Sequence, residues 1–167
     1  ISACLVGSEM CIRDRPEGGG AEPADGQGFF NADRVKQANS LKGFTTEIEE
    51  TTGSSDILLI GDFNAYAKED PIEVFTSEGW SDVAREKAPD EHTYSFDGEL
   101  GSLDHVLASP SLAASITGAG VWSINSPEWS DRGYAFGATE AGTPFRSSDH
   151  DPIIVGVSSE ILSLIHI

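Results

Sequence analysis

The stretch DILLIGDFN at Asp56–Asn64 decides the fold of this chain. Its four consecutive large apolar residues, Ile57–Ile60, predict a short strand that is buried on both faces. The strand leads through Gly61 to Asp62 and Asn64, just past its carboxyl end, which is the edge where α/β sheets bind ligands. A carboxylate beside a carboxamide suits a hard metal ion and a phosphate oxygen. A polar turn after a core strand is the alternative, because Gly, Asp and Asn all favour turns.

A helix is predicted on each side of this strand. The first has Asn31 as its cap, runs to about Thr52 and stops at Gly53. Its apolar residues recur along one face, at Val35, Ala38, Leu41, Phe44 and Ile48. The second helix has Asp70 as its cap, followed by a first-turn proline. Further strands are predicted at Thr93–Phe96, Leu103–Ala108, Gly120–Ile124 and Ile153–Val157. This order of helix, short loop and buried strand predicts an α/β (α+β) fold.

Composition limits the classes of partner. The chain has 167 residues, of which 38% are hydrophobic, and this suits one domain with a real core. No apolar run is long enough to cross a membrane. With 28 acidic and 10 basic side chains, the formal net charge of -18 should repel polyanions. A phosphate-bearing partner would therefore need a metal ion or a local basic or amide-rich patch, and no obligate protein partner is indicated. A salty or extracellular medium accounts best for the acidity.

Both ends differ from the rest of the sequence. Residues 1–15, ISACLVGSEMCIRDR, show no clear period and resemble translated sequencing-adapter read-through. Residues 160–167 resemble the same kind of artefact, and a frayed terminus and a last strand are the alternatives. We assign no function to Cys4, Cys11 or His166, and we expect the domain to occupy residues 16–159.

Five polar residues stand at strand edges: Asp62, Asn64, Asp104, Asp149 and His150. They gather at one edge if the strands bearing Asp104 and Ile153–Val157 run antiparallel to the Ile57–Ile60 strand. Asp104 interrupts an apolar strand, where an unpaired carboxylate is costly, and a histidine partner would relieve that cost. A carboxylate that orients an imidazole fixes its tautomer, as in a Ser-His-Asp triad without the serine. Asp62 and Asp149 could supply oxygen ligands to Mg²⁺ or Mn²⁺, and an oriented water could attack phosphorus.

Each of these residues also has a simpler interpretation. A lone His150 is more often a capping or surface histidine, and Asp149 could shape a turn before Pro152. Asp104 could pair with Arg146 instead of with a histidine. His105 faces the other side of the strand from Asp104, where a packing contact is expected.

Three ordered motifs resemble one family. The segments GDFNAYAKEDPI (Gly61–Ile72), SLDHVLAS (Ser102–Ser109) and PFRSSDHDPIIVGV (Pro144–Val157) resemble the endonuclease/exonuclease/phosphatase superfamily, which has the deoxyribonuclease-I-like fold. Its extracellular bacterial nuclease branch is the most similar, and DGQGFFNADRVKQA at Asp25–Ala38 resembles the segment before the GDFN strand in that branch. The resemblance covers about Asp25–Val157.

The resemblance implies a role for each polar residue. Asp62 would orient or deprotonate the attacking water, and Asn64 would hydrogen-bond the scissile phosphate. Asp104 would orient His150, which would stabilise the developing charge or protonate the leaving oxygen. Asp149 would belong, with Asp62, to the site of Mg²⁺ or Mn²⁺, with Ca²⁺ as an alternative. The implied substrate is DNA or RNA, and the implied location is extracellular or at the cell surface.

The chain also departs from the family pattern. The family domain is longer, and we find no counterpart to the Asn and Glu metal ligands and the phosphate-contacting His of its amino-terminal half. We therefore expect the carboxyl-terminal half of a two-sheet sandwich flanked by helices, with mainly one antiparallel or mixed sheet. Alone, it is expected to be inactive and to self-associate through a bare sheet face.

The implied activity is hydrolysis of nucleic acid by a secreted, metal-dependent endonuclease or exonuclease. One alternative is a phosphatase or phospholipase of the same superfamily, acting on inositol phosphates or sphingomyelin. A non-catalytic acidic binding domain is the alternative from another class. The long loop at 125–143 is expected to help decide between nuclease and phosphatase.

Overall fold

The computed structural model describes residues 25–96, 98–128 and 142–158. The helices in these ranges are α1 (Asn31–Thr52), α2 (Asp70–Thr76), α3 (Val83–Lys87) and α4 (Pro110–Ala113). The strands are β1 (Leu58–Asp62), β2 (Ser81–Asp82), β3 (Tyr94–Phe96), β4 (Glu99–Gly101), β5 (Asp104–Ala108), β6 (Ile116–Val121) and β7 (Ile153–Val157). The predictions for residues 1–15 and 160–167, for Cys4, Cys11 and His166, and for most of the 125–143 loop lie outside the described residues.

The described strands form three antiparallel ladders. The central sheet has the order β1-β5-β2, while β3 pairs with β4 and β6 pairs with β7. Helices mixed with antiparallel sheets confirm the predicted α/β (α+β) class. The prediction of one main sheet is wrong for this part of the chain, because β7 does not join β1 and β5. Strand β5 pairs with β1 along its length and with β2 only at Leu107 and Ala108, whereas β7 pairs with β6.

The central sheet is covered on both faces, by different elements. Leu59 of β1 and Leu107 of β5 pack with the buried residues of α1 and α2. Val106 and Ala108 point the other way and pack with Ile116 of β6 and with side chains of β7. Side chains alternate between the two faces of the sheet along a strand. One face of β5 therefore points to α1 and α2 (the helix side), and the other points to the β6–β7 ladder (the ribbon side). This alternation later decides where Asp104 and His105 point.

The cover over β1 is incomplete. Leu58 packs against the ribbon-side cluster, but Ile60, on the same face of β1, is 47% exposed. On β7, Ile154 is 59% exposed. The prediction that these strands are buried on both faces is therefore wrong at Ile60 and Ile154. Ile154 lies on the face of β7 opposite to Ile153 and Val155, which pack on the central sheet.

Helix α1 ends as predicted and begins differently. Gly53 closes it with a left-handed backbone (φ 70°) and donates its N–H to the carbonyl of Glu49. Phe30, not Asn31, occupies the N-cap position. The Asn31 side chain instead donates to Asp70 Oδ2 at 2.7 Å. In helix α2 the N-cap residue is Glu69, not Asp70. The two predicted caps, Asn31 of α1 and Asp70 of α2, are instead hydrogen-bonded to each other and so join the two helices.

The buried face of α1 is rotated from the predicted one. Its buried residues are Arg34, Ala38, Leu41 and Thr45. Phe44, predicted to face the core, is 44% exposed. An arginine takes an inward position because its polar atoms find partners there, which an apolar period cannot reveal.

Two strand predictions need correction. The strand predicted at Gly120–Ile124 lies earlier, at Ile116–Val121, and the residues after it turn towards the segment before β7. Strand β4 was not predicted. None of the helices in the described part of the chain is both long and apolar enough to cross a membrane.

Candidate active site

The carboxyl end of β1 meets the amino end of β5. In the antiparallel register Asp62 stands directly opposite Asp104, so both carboxylates project from the ribbon side of the central sheet. Two residues beyond Asp62, Asn64 begins the connection to α2. The segment just before β7 brings His150 to the same edge. The predicted gathering of strand-edge residues is therefore present, although β7 belongs to a different ladder from β1 and β5.

Asp104 and His150 form a hydrogen-bonded pair. His150 Nδ1 lies 2.7 Å from Asp104 Oδ2, and the two side chains are 17% and 20% exposed. The carboxylate can only accept, so Nδ1 carries a proton and Nε2 is left as the atom that exchanges one. Among the described residues Nε2 has no hydrogen-bond partner. The alternative partner Arg146 lies elsewhere, where its guanidinium donates to the carbonyl of Asn125.

Neighbouring groups hold His150 in place. The ring of Tyr94 lies against the imidazole, with centroids 4.5 Å apart. Asn125 Nδ2 donates to the carbonyl of His150 at 2.7 Å, and the N–H of His150 donates to Ser148 Oγ at 3.1 Å. The sequence did not reveal Tyr94 or Asn125, because no motif links residues so far from the SDH segment.

Asp151 fixes the approach of this segment. Its Oδ1 accepts three successive backbone N–H groups, from Ile124, Asn125 and Ser126, at 2.7–3.1 Å. Its own N–H donates to the carbonyl of Thr93. Asp151 is 3% exposed, so these bonds replace water around a buried carboxylate. The residue after His150 therefore ties it to two other segments of the chain.

The charges around His150 act in opposite directions on its pKa. Burial disfavours the protonated ring and lowers the pKa of His150. The hydrogen bond and the charge of Asp104, helped by the charges of Asp62 and Asp149, outweigh burial and raise the pKa above its ordinary value. The surroundings thus favour the imidazolium, the form that can donate a proton.

Asp62 and Asn64 form a tight turn. The N–H of Asn64 donates to Asp62 Oδ1 at 2.7 Å, and Asn64 Nδ2 donates to Asp62 Oδ2 at 3.3 Å. Asn64 has a left-handed backbone, with φ 48°. The turn interpretation of this stretch is thus also right, since a turn and a site share the same residues. The buried Oδ1 of Asn64 has no hydrogen-bond partner in the described structure, which leaves one acceptor for a donor or a cation.

Asp62 is incompletely compensated. Burial raises its pKa, the N–H of Asn64 offsets part of this effect, and the negative charge of Asp104 raises the pKa further. A cation beside Asp62 would stabilise the ionised carboxylate, which burial and the charge of Asp104 disfavour, so Asp62 is suited to be a metal ligand. Asp149 is near enough for its charge to act on His150. However, no three His, Cys, Asp or Glu side chains in the described ranges are grouped to hold a metal, so Asp62 and Asp149 offer only part of a coordination shell.

A second histidine–aspartate pair lies on the helix side of the sheet. His105 Nδ1 is 2.9 Å from Asp82 Oδ2, and His105 Nε2 is 2.8 Å from the carbonyl of Ala65. His105 is 2% exposed and points away from Asp104. The prediction of a packing contact on the other side of the strand agrees with this placement, but it missed both hydrogen bonds.

Together, fold and site define an α/β protein with an Asp–His pair and an acidic turn at one edge of an antiparallel sheet. Among solved structures, the chain is similar to an endonuclease/exonuclease/phosphatase family protein from Bacteroides thetaiotaomicron. The two share 26% sequence identity with a TM-score of 0.53 over 76% of this chain and 44% of that one. The chain thus spans less than half the length of that protein.

Two Neisseria structures are also similar. One is a 3′ phosphatase, NExo, bound to a product DNA hairpin, with 22% identity and a TM-score of 0.42. The other is a 3′-5′ exonuclease, NExo, from Neisseria meningitidis, with 21% identity and a TM-score of 0.41. Each match covers 69% of this chain and 50% of the other. No protein-family model and no curated protein matches the sequence.

Proposed function

We propose that this chain carries part of the catalytic site of a nuclease that hydrolyses phosphate esters in DNA or RNA. One observation carries the proposal: the Asp104–His150 pair, joined at 2.7 Å, stands beside Asp62 at one sheet edge. The likeness to the Bacteroides protein, at 26% identity, supports the same class of chemistry. The chain's own residues can be given roles that balance one hydrolytic cycle.

Asp62 is the base in this scheme. A carboxylate whose pKa is raised by burial accepts a proton more readily, so Asp62 would take a proton from the water as its oxygen attacks phosphorus. Asn64 would steady the phosphate with the second hydrogen of Nδ2, since the first already bonds Asp62.

His150 is the acid. As the bond from phosphorus to the leaving oxygen breaks, Nε2–H of His150 would pass its proton to that oxygen. Asp104 keeps Nδ1–H in place and stabilises the imidazolium before transfer. The proton taken by Asp62 and the one given by His150 balance, and the cycle closes when the two groups exchange protons with solvent.

Metal dependence is part of the proposal. Asp62 and Asp149 would hold Mg²⁺ or Mn²⁺, with Ca²⁺ as the alternative. The cation would supply positive charge for a phosphate that approaches a chain of net charge -18. The ligands absent from the described residues would have to come from water, substrate or other parts of the protein. An extracellular or cell-surface location fits the acidic composition and stays a proposal.

The test is hydrolysis of short single-stranded and duplex DNA and RNA, with Mg²⁺ present, by the chain and by the longest natural product of its gene. Asp104→Asn and His150→Asn are compared with Asp56→Asn, which changes an exposed aspartate at the opposite end of β1. We expect hydrolysis that survives Asp56→Asn and is largely lost in the other two. Hydrolysis unaffected by Asp104→Asn and His150→Asn, or none in either protein, would overturn the proposal.

A further inference from the structure

Two buried pairs, each of a basic side chain and a carboxylate, hold the turn that carries Asn64. Arg34 Nη1 lies 2.6 Å from Glu69 Oε2, and His105 Nδ1 lies 2.9 Å from Asp82 Oδ2. In each pair both side chains are no more than 4% exposed. Neither pair has a part in the chemistry proposed above. Their other hydrogen bonds show what they do.

Arg34 reaches the first carbonyl of the turn. Its Nη1 donates to the carbonyl of Asn64 at 3.0 Å as well as to Glu69. Its Nε donates to the carbonyl of Phe29 at 3.1 Å, and Nη2 donates to the carbonyl of Gln27. The planar guanidinium thus spends its fixed fork of donors on three backbone carbonyls and one carboxylate. A lysine at this position has no such fork.

His105 reaches the next carbonyl. Its Nε2 lies 2.8 Å from the carbonyl oxygen of Ala65, which can only accept a hydrogen bond. Its Nδ1 faces the carboxylate of Asp82, which also accepts when ionised. The imidazole of His105 therefore bridges the side chain of Asp82 and the backbone of Ala65.

The two contacts hold consecutive carbonyls, at Asn64 and Ala65. Between them they fix the peptide after Asn64, whose left-handed backbone is uncommon for a residue other than glycine. The same turn sets the direction of the Asp62 and Asn64 side chains through the bonds within it. Two carboxylates act on the ring of His105: Asp82 through its hydrogen bond, and Asp62 through its charge from β1.

We propose that His105 and Arg34 are positioning residues which clamp the Asn64–Ala65 carbonyls and so aim Asp62 and Asn64 at substrate. The catalytic benefit of the clamp rests on the proposed function. The geometry of the turn does not, and it can be measured without any substrate.

The decisive measurement is the carbonyl ¹³C chemical shifts of Asn64 and Ala65 by NMR, because these two carbonyls accept the hydrogen bonds that define the clamp.

Two variants then test the clamp. His105→Phe removes the ring nitrogen that faces the carbonyl of Ala65, so the carbonyl ¹³C signals of Ala65 and Asn64 should move. Arg34→Lys should move the same two signals, because the fork is lost. Asp56→Asn is the matched control and should leave them in place. Unmoved Asn64 and Ala65 signals in folded His105→Phe and Arg34→Lys would refute the clamp.

Activity gives the last readout, in whichever natural form hydrolyses nucleic acid. Displacing Asp62 and Asn64 should lower kcat by roughly 10- to 100-fold in Arg34→Lys, with little change in KM. A loss confined to KM would contradict a positioning role. If no form hydrolyses nucleic acid, the proposed function fails, while the NMR result still decides the clamp.

Discussion

Two histidine–aspartate pairs share one strand and differ in almost everything else. Asp104 of one pair and His105 of the other are neighbours in β5, and strand alternation sends them to opposite faces of the sheet. The Asp104–His150 pair is 17–20% exposed and leaves Nε2 of His150 without a partner in the described structure. The Asp82–His105 pair is 2–4% exposed and bonds both ring nitrogens. The same two residue types therefore form pairs with different roles. What distinguishes the pairs is whether the second ring nitrogen of the histidine has a hydrogen-bond partner.

Chelation should separate the two pairs most strongly. With net charge -18 and carboxylates at the sheet edge, phosphate should approach the Asp104–His150 pair only when a cation is present. Excess chelator is expected to abolish hydrolysis in the active form of the protein, whereas the buried Asp82–His105 pair has both ring nitrogens bonded and needs no cation. Full activity in chelator would remove the metal from the proposal.

The Asp104–His150 pair should act as a unit. Replacing either residue with Ala is expected to lower kcat by about 10²–10⁴-fold, the usual contribution of a positioned acid or base. The double variant should lose little more than either single variant, since each is useless without the other. If the kcat of the double variant falls by the product of the two single losses, the two residues act independently, despite the 2.7 Å contact.

The buried pair should dominate stability instead. Asp82→Ala leaves a charged or unpaired His105 in the core and is expected to cost about 3–5 kcal/mol of the free energy of unfolding. Asp104→Ala removes a hydrogen bond at a partly exposed site, and its loss also relieves repulsion with Asp62, so the expected cost is about 1–2 kcal/mol. Urea denaturation of both variants checks the order, and a reversed order would contradict the contrast between the pairs.

The sequence predicted what local patterns and motifs encode. Strand β7 lies where its apolar run placed it, α1 ends at Gly53 as expected, and Asp104 meets His150. The catalytic roles of these residues stay predictions. The sequence was sufficient for these three features because each depends on a short stretch of chain or on a motif.

The polar supports could not be predicted in the same way. Arg34 meets Glu69 across 35 residues, and His105 meets Asp82 across 23 and Ala65 across 40. Nothing near Arg34 in the sequence signals an inward face, since apolar periodicity favoured Val35 and Phe44. A buried polar side chain is defined by partners that only the tertiary structure brings together. The mistaken single sheet has a similar cause, because β7 pairs with a strand from a distant part of the chain and no local pattern encodes that choice.

The smallest expected effect is on the pH dependence of stability, and it again separates the pairs. The pKa of His150 is raised above the ordinary histidine value of 6.5, because Asp104, Asp62 and Asp149 outweigh burial. Protonation of His150 therefore stabilises the fold fully below pH 6.5, and this contribution is lost as pH rises through the folded-state pKa. The raised pKa of Asp62 acts in a separate, more acidic window that begins at the ordinary aspartate value of 3.8. Urea midpoints measured in chelator should thus fall more steeply with pH, above 6.5, in wild type than in His150→Asn. Parallel curves for the two proteins would show that His150 gains nothing from its three carboxylates, and the contrast between the pairs would then rest on exposure alone.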